Sequence, residues 1–162
     1  MVHSLRFPVI DCWKGAVVMD KGLLQDTASL LNEFIHTQTN IELDVNDRSL
    51  QELADMIGTY CMARSRKMTI LSCCMLISVG IRKHSKLLQS DQERLARSIL
   101  DGDYLIGLIY RVAVNRKEQK LLARLTPIYK KMQLKSLEGG GSEGIMTELK
   151  HEIKAYLEQH SA

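Results

Sequence analysis

The stretch that decides the fold runs from Met68 to Ile81, with the sequence Met-Thr-Ile-Leu-Ser-Cys-Cys-Met-Leu-Ile-Ser-Val-Gly-Ile. It contains no charged residue, and Lys and Arg flank it at positions 64–67 and 82–86. A helix that crosses a bilayer needs about 20 apolar residues, so this stretch is too short for a membrane span. It suits a helix that its neighbours bury on most sides. We therefore predict a soluble helical domain packed around it.

The segment from Met68 to Ile81 has no polar face, so its large side chains should be almost inaccessible to solvent. The residues predicted to be buried are Ile70, Leu71, Cys74, Ile77 and Ile81.

Length and composition are those of an ordinary globular protein. The chain has 162 residues, of which 45% are hydrophobic and 25% are charged. That length predicts one domain with a sizeable core.

The first residues, Met1 to Pro8, lack the long apolar run of a signal peptide. We therefore expect a cytoplasmic protein.

The cysteines form no Cys-x-x-Cys pair, and two of them are adjacent in the apolar stretch. A disulfide framework is not expected at this chain length and cysteine density. Buried, reduced thiols fit better. The cysteines are Cys12, Cys61, Cys73 and Cys74.

Apolar residues recur at helical spacing on both sides of the central stretch. Asp20 can cap a first helix. Asn46 or Asp47 can open a second helix, where 49–52 also matches a capping box, and a capping box at 90–93 predicts the start of another. Glycine weakens a helix, so the segment 101–103, Asp-Gly-Asp, should interrupt or bend the helix that contains it. Pro127 should kink its helix or restart it, with Thr126 as the N-cap.

The N-terminal segment differs from the rest of the chain. Two β-branched, apolar runs, Val9–Trp13 and Ala16–Met19, flank Lys14-Gly15. This arrangement predicts a hairpin, and an irregular extended arm is the alternative. The predicted fold is therefore an all-α bundle of five or six helices with a small N-terminal extended or hairpin element.

A glycine-rich segment divides the chain near its end. Residues 137–144 read Leu-Glu-Gly-Gly-Gly-Ser-Glu-Gly, which is typical of a flexible linker. Leu-Glu before Gly-Gly-Gly-Ser also resembles a cloning junction with a designed spacer, and a natural glycine loop is the alternative. We predict a helical binding domain at 1–137, a Gly/Ser linker at 138–144 and an amphipathic helix at 145–162.

The tail helix carries apolar residues on one third of its circumference. A helix of about 15 residues is only marginally stable alone in water. Anchors spaced i, i+4 and i+8 are typical of a helix that binds in a groove. We expect the tail to dock on the 1–137 domain, either as a tethered partner segment or as the domain's own last helix. The predicted partner-binding residues are Leu121, Leu125, Tyr129, Ile145, Leu149, Ile153, Tyr156 and Leu157.

Two functions remain open from the sequence. The first is a helix-binding adaptor, chaperone or regulatory protein that holds an amphipathic helix of a partner protein in an apolar groove. The alternative is a nucleic-acid-binding regulator that uses the basic face of 111–135, although few aromatics interleave with its charges. The oligomeric state stays open. The possible phosphate-binding residues are Arg116, Lys117, Lys120, Arg124, Lys130 and Lys131.

Catalytic and metal-binding motifs are absent from the sequence. No Gly-x-Ser-x-Gly, phosphate-binding glycine loop or dinucleotide fingerprint occurs. The five histidines are scattered singly, and no pair has the i, i+4 spacing of a helical metal site. We therefore predict no cofactor, no metal and no enzymatic activity.

Overall fold

The computed structural model describes residues 22–35, 39, 41–85, 91–138 and 144–160. The described residues contain helices and connections but no strand, so the predicted all-α bundle is confirmed. The predicted N-terminal hairpin lies outside the described residues. The helices are α1 (Leu23–Phe34), α2 (Arg48–Gly58), α3 (Arg64–Ser85), α4 (Gln92–Asn115), α5 (Gln119–Leu137) and α6 (Ile145–His160).

Helix α3 forms the centre of the bundle and contacts every other described helix, α4 most extensively. The five side chains predicted to be buried are at most 1% exposed, which confirms the prediction for this segment. None of the described helices combines the length and the apolar composition that a membrane crossing requires. The apolar stretch is therefore the core of the bundle.

Helix α4 runs without a break through Gly102, so the predicted interruption at 101–103 is wrong. The glycine is needed for packing, because a Cβ atom there would lie 2.1 Å from Nε2 of His84 on α3. Next to it, Nζ of Lys83 donates to Oδ2 of the buried Asp101 at 3.1 Å. The segment brings α3 and α4 close together instead of ending the helix.

Helix α5 also continues through Pro127. The hydroxyl of Thr126 donates to the carbonyl oxygen of Leu122 at 2.7 Å, so Thr126 lies inside the helix and does not act as an N-cap. The alternative in which the helix restarts at Pro127 is therefore wrong.

Asp47, one of the two residues predicted to open the second helix, caps α2, and Asp91 caps α4. Oδ1 of Asp47 accepts from the backbone N–H of Ser49 at 2.8 Å, and Oδ1 of Asp91 accepts from that of Arg94 at 2.9 Å. Ser49 itself is inside α2. An aspartate side chain caps as well as serine, so at α4 the cap lies one residue after the predicted one.

The described cysteines differ in oxidation state. Cys73 and Cys74 are free, buried thiols on α3, in agreement with the expected buried thiols. Cys61, in the connection between α2 and α3, is disulfide-bonded. The expectation that all the cysteines are reduced therefore does not hold for Cys61.

Candidate helix-binding groove

Helix α6 lies antiparallel to α5. Nζ of Lys131 donates to Oε1 of Glu148 at 2.9 Å, and Nη1 of Arg124 donates to Oε1 of Glu152 at 2.9 Å. The residue numbers fall along α5 as they rise along α6, so the two helices run in opposite directions. On the other side of α6, Nζ of Lys150 forms an ion pair with α2.

The groove that holds α6 is formed by α5, α2 and α3, which are the helices that α6 contacts. The side chains predicted to dock are buried in this groove and are at most 5% exposed. They are Ile145, Leu149, Ile153, Tyr156 and Leu157. The apolar stripe of the tail is therefore covered along its whole length.

The three predicted groove walls on α5 are spaced i, i+4 and i+8, so they lie within about 80° of its circumference, but they face different neighbours. Leu121 is fully buried, and it precedes Arg124 by three residues, which places both on the side that faces α6. The side chain of Leu125 is also buried. Tyr129 is turned towards α3, because its hydroxyl lies 3.4 Å from Nδ1 of His84. At 100° per residue, Tyr129 is about 140° around α5 from Arg124.

Tyr129 and Leu125 instead line a small apolar pocket between α4 and α5. Ile77 on α3 also lines it, and Tyr110 on α4 stands half-exposed beside it. The structure thus places Leu121 with α6, and Tyr129 with α3 and α4.

A polar cluster joins three helices at the C-terminal end of α6, and we call it the α6 clamp: Arg66, Glu118, Tyr156 and His160. Nε of Arg66 donates to Oε1 of Glu118 at 2.5 Å, and the hydroxyl of Tyr156 donates to Oε2 of Glu118 at 2.5 Å. Nη1 of Arg66 donates to the carbonyl oxygen of His160 at 3.0 Å. The beginnings of α3 and α5 thereby hold the last turn of α6.

The charges of the clamp are paired within it. The Glu118 side chain is only 8% exposed, and each of its oxygens accepts a hydrogen bond. The hydrogen bond with Glu118 raises the pKa of Arg66. Burial, together with the hydrogen bond to Glu118, raises the pKa of Tyr156. The phenol therefore remains protonated at neutral pH and acts as the donor to the carboxylate.

Arg66 and Glu118 were not among the site residues predicted from the sequence. Glu118 occupies the N-cap position of α5 but makes no side-chain capping bond there, because its carboxylate is engaged by Arg66 and Tyr156. One signal was present: Glu118 is the single acidic residue in the basic segment 111–135. An isolated acid among basic residues was the available evidence for an internal ion pair.

The predicted phosphate-binding residues fall into three groups. Arg124 and Lys131 pair with glutamates of α6. Arg116, Lys117 and Lys120 line an open cleft at the turn between α4 and α5, and the residues of the α6 clamp line the same cleft. Lys130 is exposed on α5. Only the three residues at the turn are brought together on the surface.

Among the residues that the structure describes, no group of His, Cys, Asp or Glu could hold a metal ion. Comparison of the chain with protein-family models, with curated proteins and with solved structures yields no match. The geometry of the groove is therefore the basis for a functional proposal.

Proposed function

We propose that residues 1–137 are the helix-binding domain of an adaptor, chaperone or regulatory protein, and that α6 occupies the groove in which a partner's amphipathic helix binds. The observation that carries this proposal is the burial of the whole apolar stripe of α6 between α5, α2 and α3. Binding of this kind depends on apolar anchors at helical spacing, which α6 supplies.

The connection between α5 and α6 supports the same proposal. Residues 138–144 are rich in glycine, so the chain joins the two helices through a segment with little side-chain area to bury. A short covalent tether keeps its ligand at an effective concentration of about millimolar. Because of this, a helix with weak intrinsic affinity stays in the groove until a competing helix displaces it.

Cleavage of the tether tests the proposal. A protease site placed within residues 139–143 allows the folded, full-length protein to be cut after purification. A fluorescent peptide with the sequence 144–160 should then exchange into the groove of the cut protein, as measured by polarisation. In the uncut protein the same peptide should bind far more weakly, because the tethered α6 competes with it.

A matched peptide defines specificity in this experiment. Leu149→Asp with Ile153→Asp should abolish exchange, because two charges would enter an apolar site without partners. If the wild-type peptide shows no exchange at high concentration, α6 is only the last helix of the domain and the proposal is wrong.

The exposed basic residues at the turn between α4 and α5 favour a second candidate, a nucleic-acid-binding regulator. Phosphate contacts release counterions, so such binding would weaken steeply as salt is raised. A mobility-shift titration at two salt concentrations tests this candidate. Lys117→Glu with Lys120→Glu should remove the binding, whereas helix exchange in the groove should persist.

A further inference from the structure

We infer that the α6 clamp selects partner helices that carry a tyrosine in their last turn and fixes their register in the groove. This inference rests on the proposed function. Counted from the tyrosine, the helix would have apolar residues at positions −11, −7, −3 and +1, as α6 has around Tyr156. It would end four residues after the tyrosine, as α6 ends at His160.

The first step concerns the hydrogen-bond donor that the carboxylate of Glu118 requires from any helix in the groove. Its carboxylate is nearly buried, and Arg66 satisfies Oε1 while the Tyr156 hydroxyl satisfies Oε2. A helix with phenylalanine in place of Tyr156 would fill the same space but would leave Oε2 without its donor. A buried charged acceptor without a partner is costly, so the groove discriminates against such a helix.

The second step is recognition of the helix end. The last carbonyl groups of a helix have no partner within the helix, and Arg66 donates to one of them, that of His160. The guanidinium also interacts favourably with the negative end of the helix dipole. The ring of His160 stacks on Tyr156 with centroids 4.5 Å apart. These contacts hold only the last turn.

Contacts at the helix end fix the register along the whole groove. A shift by one residue would rotate every anchor by about 100°, which moves apolar side chains out of the groove. The tyrosine hydroxyl and the terminal carbonyl must meet the α6 clamp in the same register that buries Leu149 and Ile153.

The third step is the charge of the occupant. Glu148 and Glu152, at positions −8 and −4 from Tyr156, pair with Lys131 and Arg124. These pairs are partly exposed, so they steer association more than they add affinity. The partner is therefore an acidic amphipathic helix with a tyrosine near its C-terminus.

Competition between peptides in the cut protein tests the inference. Unlabelled peptides of residues 144–160 displace the fluorescent peptide, and Tyr156→Phe should raise the concentration needed by about 10- to 100-fold. Tyrosine and phenylalanine have similar helix propensities, so the change leaves helix formation unaltered. His151→Ala, at an exposed position of α6, is the matched control and should change competition by less than about twofold.

A variant of the protein shows whether the effect of Tyr156→Phe in the peptide depends on Glu118. In Glu118→Gln protein the Tyr156→Phe penalty should shrink to a few-fold, because a neutral acceptor loses less when it is left unpaired. A penalty that is equal in both proteins would mean that the hydroxyl acts elsewhere, and the inference would be overturned. The peptide variants leave the protein unchanged, so the first comparison remains decisive even if Glu118→Gln does not fold.

The two proposals fail in different ways. If the wild-type and Tyr156→Phe peptides compete equally, the groove binds helices without selecting tyrosine, and only this inference is wrong. If the wild-type peptide itself never exchanges, the helix-binding function is wrong and the inference falls with it.

Discussion

His84 on α3 packs directly on Gly102 of α4, so closely that a Cβ atom at residue 102 would lie 2.1 Å from Nε2 of the imidazole ring. The ring is also near Tyr129, whose hydroxyl lies 3.4 Å from Nδ1. Glycine inside a helix costs about 1 kcal/mol relative to alanine. Here the cost is offset because the absence of a side chain lets α3 and α4 approach each other.

Gly102→Ala should therefore destabilise the protein. The new methyl group forces the imidazole or the backbone to shift, and overpacking of this kind costs about 1–3 kcal/mol. Alanine returns about 1 kcal/mol of helix propensity, so we expect a net loss of up to about 2 kcal/mol in the free energy of unfolding. Urea denaturation measures this change in the free energy of unfolding.

A second substitution in α4 provides the control for Gly102→Ala. A Cβ atom at Gly107 would have no atom within 4 Å, so Gly107→Ala should stabilise the protein by about 0.5–1 kcal/mol. In a His84→Ala background, Gly102→Ala should also become stabilising, because the imidazole ring that the new methyl group would overlap is absent. If Gly102→Ala destabilises equally in both backgrounds, contact with His84 is not the cause.

The acid stability of the protein should depend on His84. Burial lowers the pKa of His84, and the nearby carboxylate of Asp103 opposes this effect. The folded protein therefore prefers the neutral ring. As pH falls through the ordinary histidine value of about 6.5, the unfolded chain takes up its proton first, so the free energy of unfolding decreases until the ring in the folded state is also protonated.

Comparison with His84→Gln isolates this effect. Urea denaturation at several pH values between 7.5 and 5 should show a smaller loss of stability in the variant than in the wild type. All other ionisable groups are the same in the two proteins, so their contributions cancel in the difference. Parallel stability profiles would show that His84 does not couple folding to pH.

The elements that the sequence predicts well are those in which the apolar pattern is local. The stretch around Leu71 has no polar face, and the stripe of α6 repeats at helical spacing, so burial of both follows from spacing alone. The α6 clamp is different, because Arg66 and Glu118 lie 52 residues apart and meet only in the folded chain. Gly102 was misinterpreted as a helix break for the same reason: its role depends on a side chain of another helix.

Cys73 and Cys74 should resist alkylation in the folded protein. Both thiols are fully buried. Burial raises the pKa of Cys73 to about 12, and it raises the pKa of Cys74 well above the ordinary thiol value. The thiolate is the reactive form, so neither thiol should react with iodoacetamide at pH 8. Mass spectrometry should find both labelled after unfolding in urea. Rapid labelling of either thiol under native conditions would contradict the burial of α3.

Leucine-to-alanine substitutions at two helical positions should separate core packing from helix propensity. Leu71 on α3 is fully buried, whereas Leu134 on α5 is 61% exposed. Leu71→Ala should lower the free energy of unfolding by about 2–5 kcal/mol, because it removes buried methyl groups and leaves a cavity. Leu134→Ala makes the same chemical change in a helix and should alter stability by no more than about 0.5 kcal/mol. Urea denaturation with an unchanged m-value measures both, and equal losses would mean that α3 is not the centre of the core.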